Sequence, residues 1–349
     1  MRSFIPRGPR YGTRAKTRGI GRRVAGNPVL DSASSMAQET RETALPQAEL
    51  TAGGMIRIVP FMFVLLWSSS FITAKVGLRH LSPLLFVAIR LVGCAVVLSV
   101  VLLVLRRSWR PLGNRRWFHC AVAGALLNAV GLMAPHVALV ATPAAQIALV
   151  QSLTPLLTAA CGVLLLNERL RSAQWLGLVL GLAGVGLVVG AAALESAAQL
   201  QGLILAFVGV LGLVAGTLYF GRFCRGVPLL QSATVQFISA AAVASLGTAL
   251  LETPHWEWTD GTVVAVVWNT LMVSLGGMVL YSVMLVRGSV ARASANFYLV
   301  PVTVALLAWS LLGERLSAHV IVGLVMASAG CWLVNAAGQP TAANEVVEM

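Results

Sequence analysis

The sequence predicts an all-α integral membrane protein of about ten transmembrane helices, arranged as two inverted five-helix repeats. Three observations predict it. Hydrophobic residues make up 58% and charged residues 11% of the 349-residue chain, where soluble domains carry about 25% charged residues. Apolar runs of roughly twenty residues, long enough to cross a bilayer as a helix, recur from 56 to 337. Shifted by 146 residues, the chain matches itself.

The first element, 1–54, differs from the rest. Its first 35 residues hold Arg2, Arg7, Arg10, Arg14, Lys16, Arg18, Arg22 and Arg23 against Asp31 alone. Much of the net charge of +13 therefore sits in a short arm. A basic arm can meet nucleic acid or anionic lipid. This one is rich in Gly and Pro and has no apolar periodicity, so the expectation is a disordered extension with no nucleic-acid partner. Met36 and Met55 are alternative starts. An Arg-rich, acid-poor transit peptide is the competing reading, although the Gly and Pro spacing opposes an amphipathic helix.

The spans read, in order, 56–78, 83–105, 117–140, 143–166, 173–193, 200–221, 230–251, 262–286, 290–312 and 318–337. The connection Ala141-Thr142-Pro143 is so short that it must join antiparallel neighbours. The first five spans form one repeat, 56–193, and the last five a second, 200–337; 338–349 is a tail. With a cytoplasmic N-terminus, the inner connections hold Arg106, Arg107, Arg110, Arg115, Arg116, Arg169, Arg171, Arg222, Arg225, Arg287 and Arg292. The outer connections hold only Arg79 and Arg315. The positive-inside rule then puts both termini in the cytoplasm. The Arg, Ala and Gly content suits a GC-rich bacterial gene and a multi-pass cell inner-membrane location.

The self-match is gapless over 153–188, with fifteen identities. Asn167-Glu168-Arg169-Leu170 falls on Gly313-Glu314-Arg315-Leu316, and Pro155 on Pro301. Gly177 falls on Gly323 and Gly184 on Gly330. Low complexity explains chance Leu and Val matches but not these. An odd number of spans per repeat turns the second copy upside down, and inverted repeats are a transporter signature with the site between the halves.

These residues resemble the drug/metabolite transporter superfamily, specifically tandem EamA-type domains. Trp67-Ser68-Ser69-Ser70-Phe71 with Lys75 is similar to its first-helix motif, and Leu81-Ser82-Pro83-Leu84 leading to Arg90-Leu91 to its second. The two Pro…Glu-Arg-Leu…Gly…Gly runs resemble the ends of its two domains. The second half departs from the first: Leu213 stands at the place of Trp67 and Gly221 at that of Lys75. The resemblance implies a ten-helix secondary carrier, often an exporter of amino acids or related metabolites.

The candidate substrate path follows from polar groups inside the spans. Pro155 and Pro301 sit near the middles of the fourth and ninth spans and free the carbonyls of Gln151 and Phe297. Freed backbone in a membrane faces protein or a watery cavity, so the pair marks a cavity wall or hinge; packing alone is the plainer reading. Lys75 lies near an outer helix end, where it could snorkel. Arg90 lies roughly 10 Å inside its span at 1.5 Å per residue. A charge at the bilayer centre costs about 2.5–3.5 kcal/mol, so Arg90 should face a polar partner or the path. Two buried cations would favour an anionic group such as a carboxylate.

Trp67, Asn128, His136, Gln151, Thr154, Tyr219, Tyr281, Asn296 and Tyr298 complete the candidate lining, with Thr158 and Asn269 beside them. Gln151, Thr154 and Thr158 share one helix face. Taken singly, each is better explained by interhelical hydrogen bonds. His136 is either a proton relay or, more simply, a satisfied structural histidine. Glu168-Arg169 and Glu314-Arg315 are structural, supporting the start of the next helix. Gly177, Gly184, Gly323 and Gly330 serve close helix packing.

No ATP-binding loop is present: the lysines are Lys16 and Lys75, neither within G-x-x-x-x-G-K-[ST]. Cys94, Cys120, Cys161, Cys224 and Cys331 form no C-x-x-C pair, and no metal or other cofactor is expected. Motifs of hydrolases and zinc proteases are absent, against an enzyme. The expected partners are a small-molecule substrate and the lipid bilayer. The expectation is a secondary, ATP-independent exporter of small metabolites by alternating access; a facilitative channel or a non-transporting scaffold or sensor is the alternative. Substrate identity and oligomeric state are not legible.

Overall fold

The computed structural model describes residues 58–105, 113–166, 171–287 and 299–336. The extension 1–54, the tail 338–349 and residues 290–298 of the ninth expected span lie outside them. The described residues are helical, with one isolated antiparallel bridge between Leu81 and Trp256. In chain order, α1 is Ile58–Gly77 and α2 is Pro83–Val104. α3 runs Asn114–Ala141, with a wide π segment at Ala125–Val130. α4 has two pieces, Ala144–Gln151 and Leu153–Leu166. α5 is Ser172–Glu195, α6 Ala197–Phe223 and α7 Leu229–Leu251. α8 joins Asp260–Val267, a second π segment Trp268–Gly276, and Gly277–Arg287. α9 is Leu299–Leu312 and α10 Ala318–Ala336. Eight helices are long and apolar enough to cross a membrane, and Leu299–Leu312 and Ala318–Val334 are shorter apolar helices.

Punctuation in the sequence sets the boundaries. Pro83 sits in the first turn of α2, where its missing N–H is harmless. Pro143 precedes α4 and Pro228 precedes α7. Ser196 caps α6 by accepting from the Gln199 N–H, and Thr259 caps α8 through Thr262. Gly313 stops α9 in the left-handed conformation, φ 68°, and the Glu314 N–H returns to the Ala308 carbonyl at 3.2 Å.

The core is aliphatic and small-residue, running through Phe63, Leu81, Ile147, Leu149, Leu203, Val304 and Ala308. Apolar side chains also face outward on most helices, among them Leu103, Leu182, Leu250 and Val325. That is the pattern of helices whose outer solvent is lipid. α5 and α10 approach through glycines. A Cβ on Gly177 would lie 2.6 Å from the Gly330 carbonyl oxygen, and one on Gly184 would lie 2.8 Å from that of Gly323. Gly177 meets the late part of α10 and Gly184 its early part, so the two helices run antiparallel.

Proline acts in α4 where the sequence predicts. α4 breaks at Ser152, three residues before Pro155, and the Ser152 hydroxyl donates to the Leu149 carbonyl at 2.6 Å. Pro301 is the third residue of the described part of α9; residues 290–298 of its expected span lie outside the described residues. The carbonyl it was expected to free, that of Phe297, lies outside the described residues. Pro135, unremarked in the sequence, sits inside α3 beside His136.

Candidate functional site

A cavity opens between α1, α2, α3, α4 and α8. Trp67, Ser70, Phe71, Ala74, Arg90, Leu132, Pro135, His136, Leu139, Gln151 and Val273 line it.

Arg90 is 3% exposed. Its Nε–H donates to Ser274 Oγ at 2.9 Å and Nη1 donates to Asn269 Oδ1 at 3.0 Å. Both acceptors sit on the π segment of α8. Ser274 follows Asn269 by five residues, a spacing the i→i+5 turn brings onto one face. The Asn269 amide in turn donates to Thr73 Oγ1 at 2.8 Å and to the Ala265 carbonyl at 3.0 Å. The network thus ties α2 and α8 to α1. Its partners are neutral, and no Asp or Glu pairs with Arg90 among the described residues. Two of the five guanidinium donors are engaged.

His136 is 5% exposed. Its Nδ1 lies 2.7 Å from the Leu132 carbonyl oxygen. A carbonyl only accepts, so Nδ1 carries the hydrogen, and in the neutral ring Nε2 is an acceptor. Nε2 has no partner among the described residues. The Phe86 ring stacks on the imidazole at 5.6 Å, which fixes the ring plane.

Of the residues nominated from sequence, Trp67, Arg90, His136 and Gln151 meet at this cavity. The other described candidates are not among its lining residues. Thr154 has a buried Oγ1 without a partner among the described residues, and Thr158 donates back to the Thr154 carbonyl at 2.7 Å. Asn128 sits half-buried in the π segment of α3. Tyr219 is engaged elsewhere, 2.7 Å from His119 Nδ1 and packed on Phe223. Tyr281 packs against Phe63 at 5.9 Å. Asn296, Tyr298, Glu168 and Arg169 lie outside the described residues.

Lys75 is not a second free cation. It pairs with Glu314 and donates to the Thr142 carbonyl at 3.1 Å. The Glu314 carboxylate also accepts from the Ala144 N–H, at 3.1 and 2.9 Å to its two oxygens. This corrects the expectation that Glu314 supports the next helix in sequence. The carboxylate meets a helix N-terminus, as the physics requires, but the helix is α4, not α10. Arg315 is exposed. The structure adds a parallel case that the sequence did not reveal. Glu252 at the end of α7 accepts from the N–H groups of Leu84 and Leu85, both at 3.1 Å, at the start of α2. Neither partner could be read from local sequence, because each lies about 170 residues from its carboxylate.

Comparison with known proteins agrees with this architecture. The chain is 27% identical over 270 residues to the uncharacterized inner membrane transporter YedA of Escherichia coli K12, covering 74% of this chain and 83% of that one. It is 22% identical over 295 residues to a probable amino-acid metabolite efflux pump of Salmonella typhimurium LT2, covering 78% and 92%. A crystal structure with 22% sequence identity superposes with a TM-score of 0.58, over 80% of this chain and 96% of the other, and shares the fold. The model of the EamA-like transporter family matches residues 56–190 and again 200–336. This chain therefore belongs to the EamA-like transporter family, and it is a membrane transporter, not an enzyme.

Proposed function

We propose that the protein is a secondary, ATP-independent exporter of small metabolites, such as amino acids or related organic compounds. One observation carries the reading: Arg90, a buried cation whose partners among the described residues are neutral, lines a cavity between five helices beside Trp67, His136 and Gln151. A charge kept inside a membrane bundle without a counter-ion is retained for a ligand or ion. The efflux pump of Salmonella named above supports the direction and the substrate class.

The mechanism proposed is alternating access between two inverted five-helix repeats of ten spans, 56–193 and 200–337. The glycine contacts support it. Gly177 and Gly323 are equivalent at the 146-residue offset, as are Gly184 and Gly330, and the contacts pair Gly177 with Gly330 and Gly184 with Gly323. A two-fold axis in the membrane plane exchanges those two contacts. Pro155 and Pro301 are equivalents on α4 and α9 and serve as hinge candidates. The arginine count favours cytoplasmic termini and places the Lys75–Glu314 end outside, in a bacterial inner membrane. An alkaline phosphatase fusion at the C-terminus checks this: activity there reverses the assignment.

Counterflow in proteoliposomes tests the function. A carrier loaded with unlabelled substrate accumulates labelled substrate transiently and saturates. Flux that rises linearly with concentration would make the protein a channel, and no flux across a broad metabolite screen would leave a scaffold or sensor.

A further inference from the structure

The charge and hydrogen-bonding groups of the cavity constrain its ligand further than its family does. Among the described residues the lining contains one cation, Arg90, and no carboxylate. A ligand that leaves the buried site neutral carries one net negative charge. A carboxylate meets the remaining guanidinium donors with two parallel bonds.

The second polar feature is the unpartnered Nε2 of His136, an acceptor held in place by the Leu132 carbonyl and the Phe86 ring. A buried acceptor without a donor is costly to leave unsatisfied. Arg90 and His136 line the same cavity, so the ligand's donor belongs near its carboxylate. One O–H supplies a single donor without adding charge. An ammonium supplies three donors and a positive charge, which with Arg90 leaves the cavity with a net charge of one and no acid to balance it. Phe71, Leu132, Leu139 and Val273 line the rest and suit an apolar tail.

We propose that this cavity binds small monoanionic 2-hydroxy acids with an apolar tail, in preference to the zwitterionic amino acids of the same skeleton. The proposal rests on the transporter reading above and narrows its substrate class.

The test uses three probes of one skeleton, 2-hydroxyisocaproate, leucine and isocaproate, which differ only in bearing a hydroxyl, an ammonium or a hydrogen at the second carbon. Calorimetry on the full chain in nanodiscs measures binding, and proteoliposomes measure counterflow. The hydroxy acid is expected to bind about tenfold or more tighter than either of the others. Arg90→Gln is expected to weaken the two monoanions by about tenfold or more. His136→Phe is expected to bring the hydroxy acid down to the level of isocaproate. The wild-type ligand order stands even if a variant misfolds.

Leucine binding as tightly as the hydroxy acid overturns the charge argument and leaves the carrier reading standing. Isocaproate equal to the hydroxy acid overturns the role of His136. Failure of all three to bind overturns the pocket assignment. Hydroxy-acid binding without counterflow supports the pocket chemistry and sinks the carrier reading instead.

Discussion

The Lys75 ammonium and the Glu314 carboxylate, 239 residues apart, pair over the first N–H of α4. The contact gathers α1, the α3–α4 connection and the end of α9 at one end of the protein. At the 146-residue offset Gly221 stands where a second lysine would be, so the pair has no counterpart in the sequence. Glu314→Gln removes the pair and weakens the cap. The expected effect is a loss of about 1–3 kcal/mol, read as a lower melting temperature in detergent. The same variant should also raise labelling of a cysteine placed at Ser70 by an impermeant maleimide added from that end. Unchanged labelling would mean the pair does not close this end.

Arg90 reaches two acceptors on one wide turn, and a lysine cannot span both. Arg90→Lys keeps the charge and loses the fork geometry. Transport is expected to fall about tenfold or more while expression and monodispersity stay near wild type. Normal transport in Arg90→Lys would reduce the residue's role to bulk positive charge.

Glu252 and Glu257 lie five residues apart and differ in kind. Glu252 holds two N–H groups at the start of α2, whereas Glu257 pairs with His80 at the surface, 70% exposed. Glu252→Ala is expected to cost about 0.5–2 kcal/mol, as the loss of a helix cap does. Glu257→Ala is expected to change stability by no more than about 1 kcal/mol. Thermal unfolding of the two side by side checks the contrast.

Gly184 and Gly186 make a matched pair. A Cβ at Gly184 meets the Gly323 carbonyl oxygen at 2.8 Å, while a Cβ at Gly186 meets nothing within 4 Å. Gly184→Ala should separate α5 from α10 and destabilise by about 1–3 kcal/mol. Gly186→Ala should be neutral or mildly stabilising, since alanine is the better helix former. Equal melting temperatures would refute close packing at Gly184.

Much of the helical layout was legible because spans announce themselves by length and polarity. Expected 83–105, 230–251 and 262–286 became Pro83–Val104, Leu229–Leu251 and Asp260–Arg287. Arg90 was legible as a buried charge for the same reason. Its partners were not: Ser274 reaches it only because α8 widens there, and hydropathy carries no trace of a π segment. Tyr219 and Tyr281 were chosen as polar groups inside spans, yet composition cannot say which side of a helix faces the cavity. Glu314 was recognised as a helix-supporting carboxylate, but the helix it supports was set by tertiary proximity.

The two π segments give the chain an unusual sensitivity to length. Within Trp268–Gly276 the backbone already carries an inserted residue relative to an α-helix. Deleting one residue there would let the segment close into regular α-helix and keep the span apolar. Everything from Gly277 onward would meanwhile turn by about 100° relative to the part before it. Two relatives that differ by one residue in this stretch would present different sides of the same helix to the interior, with Ser274 withdrawn from Arg90 in one of them. A gap in an alignment at that point marks a change of binding surface, even where every polar residue is retained.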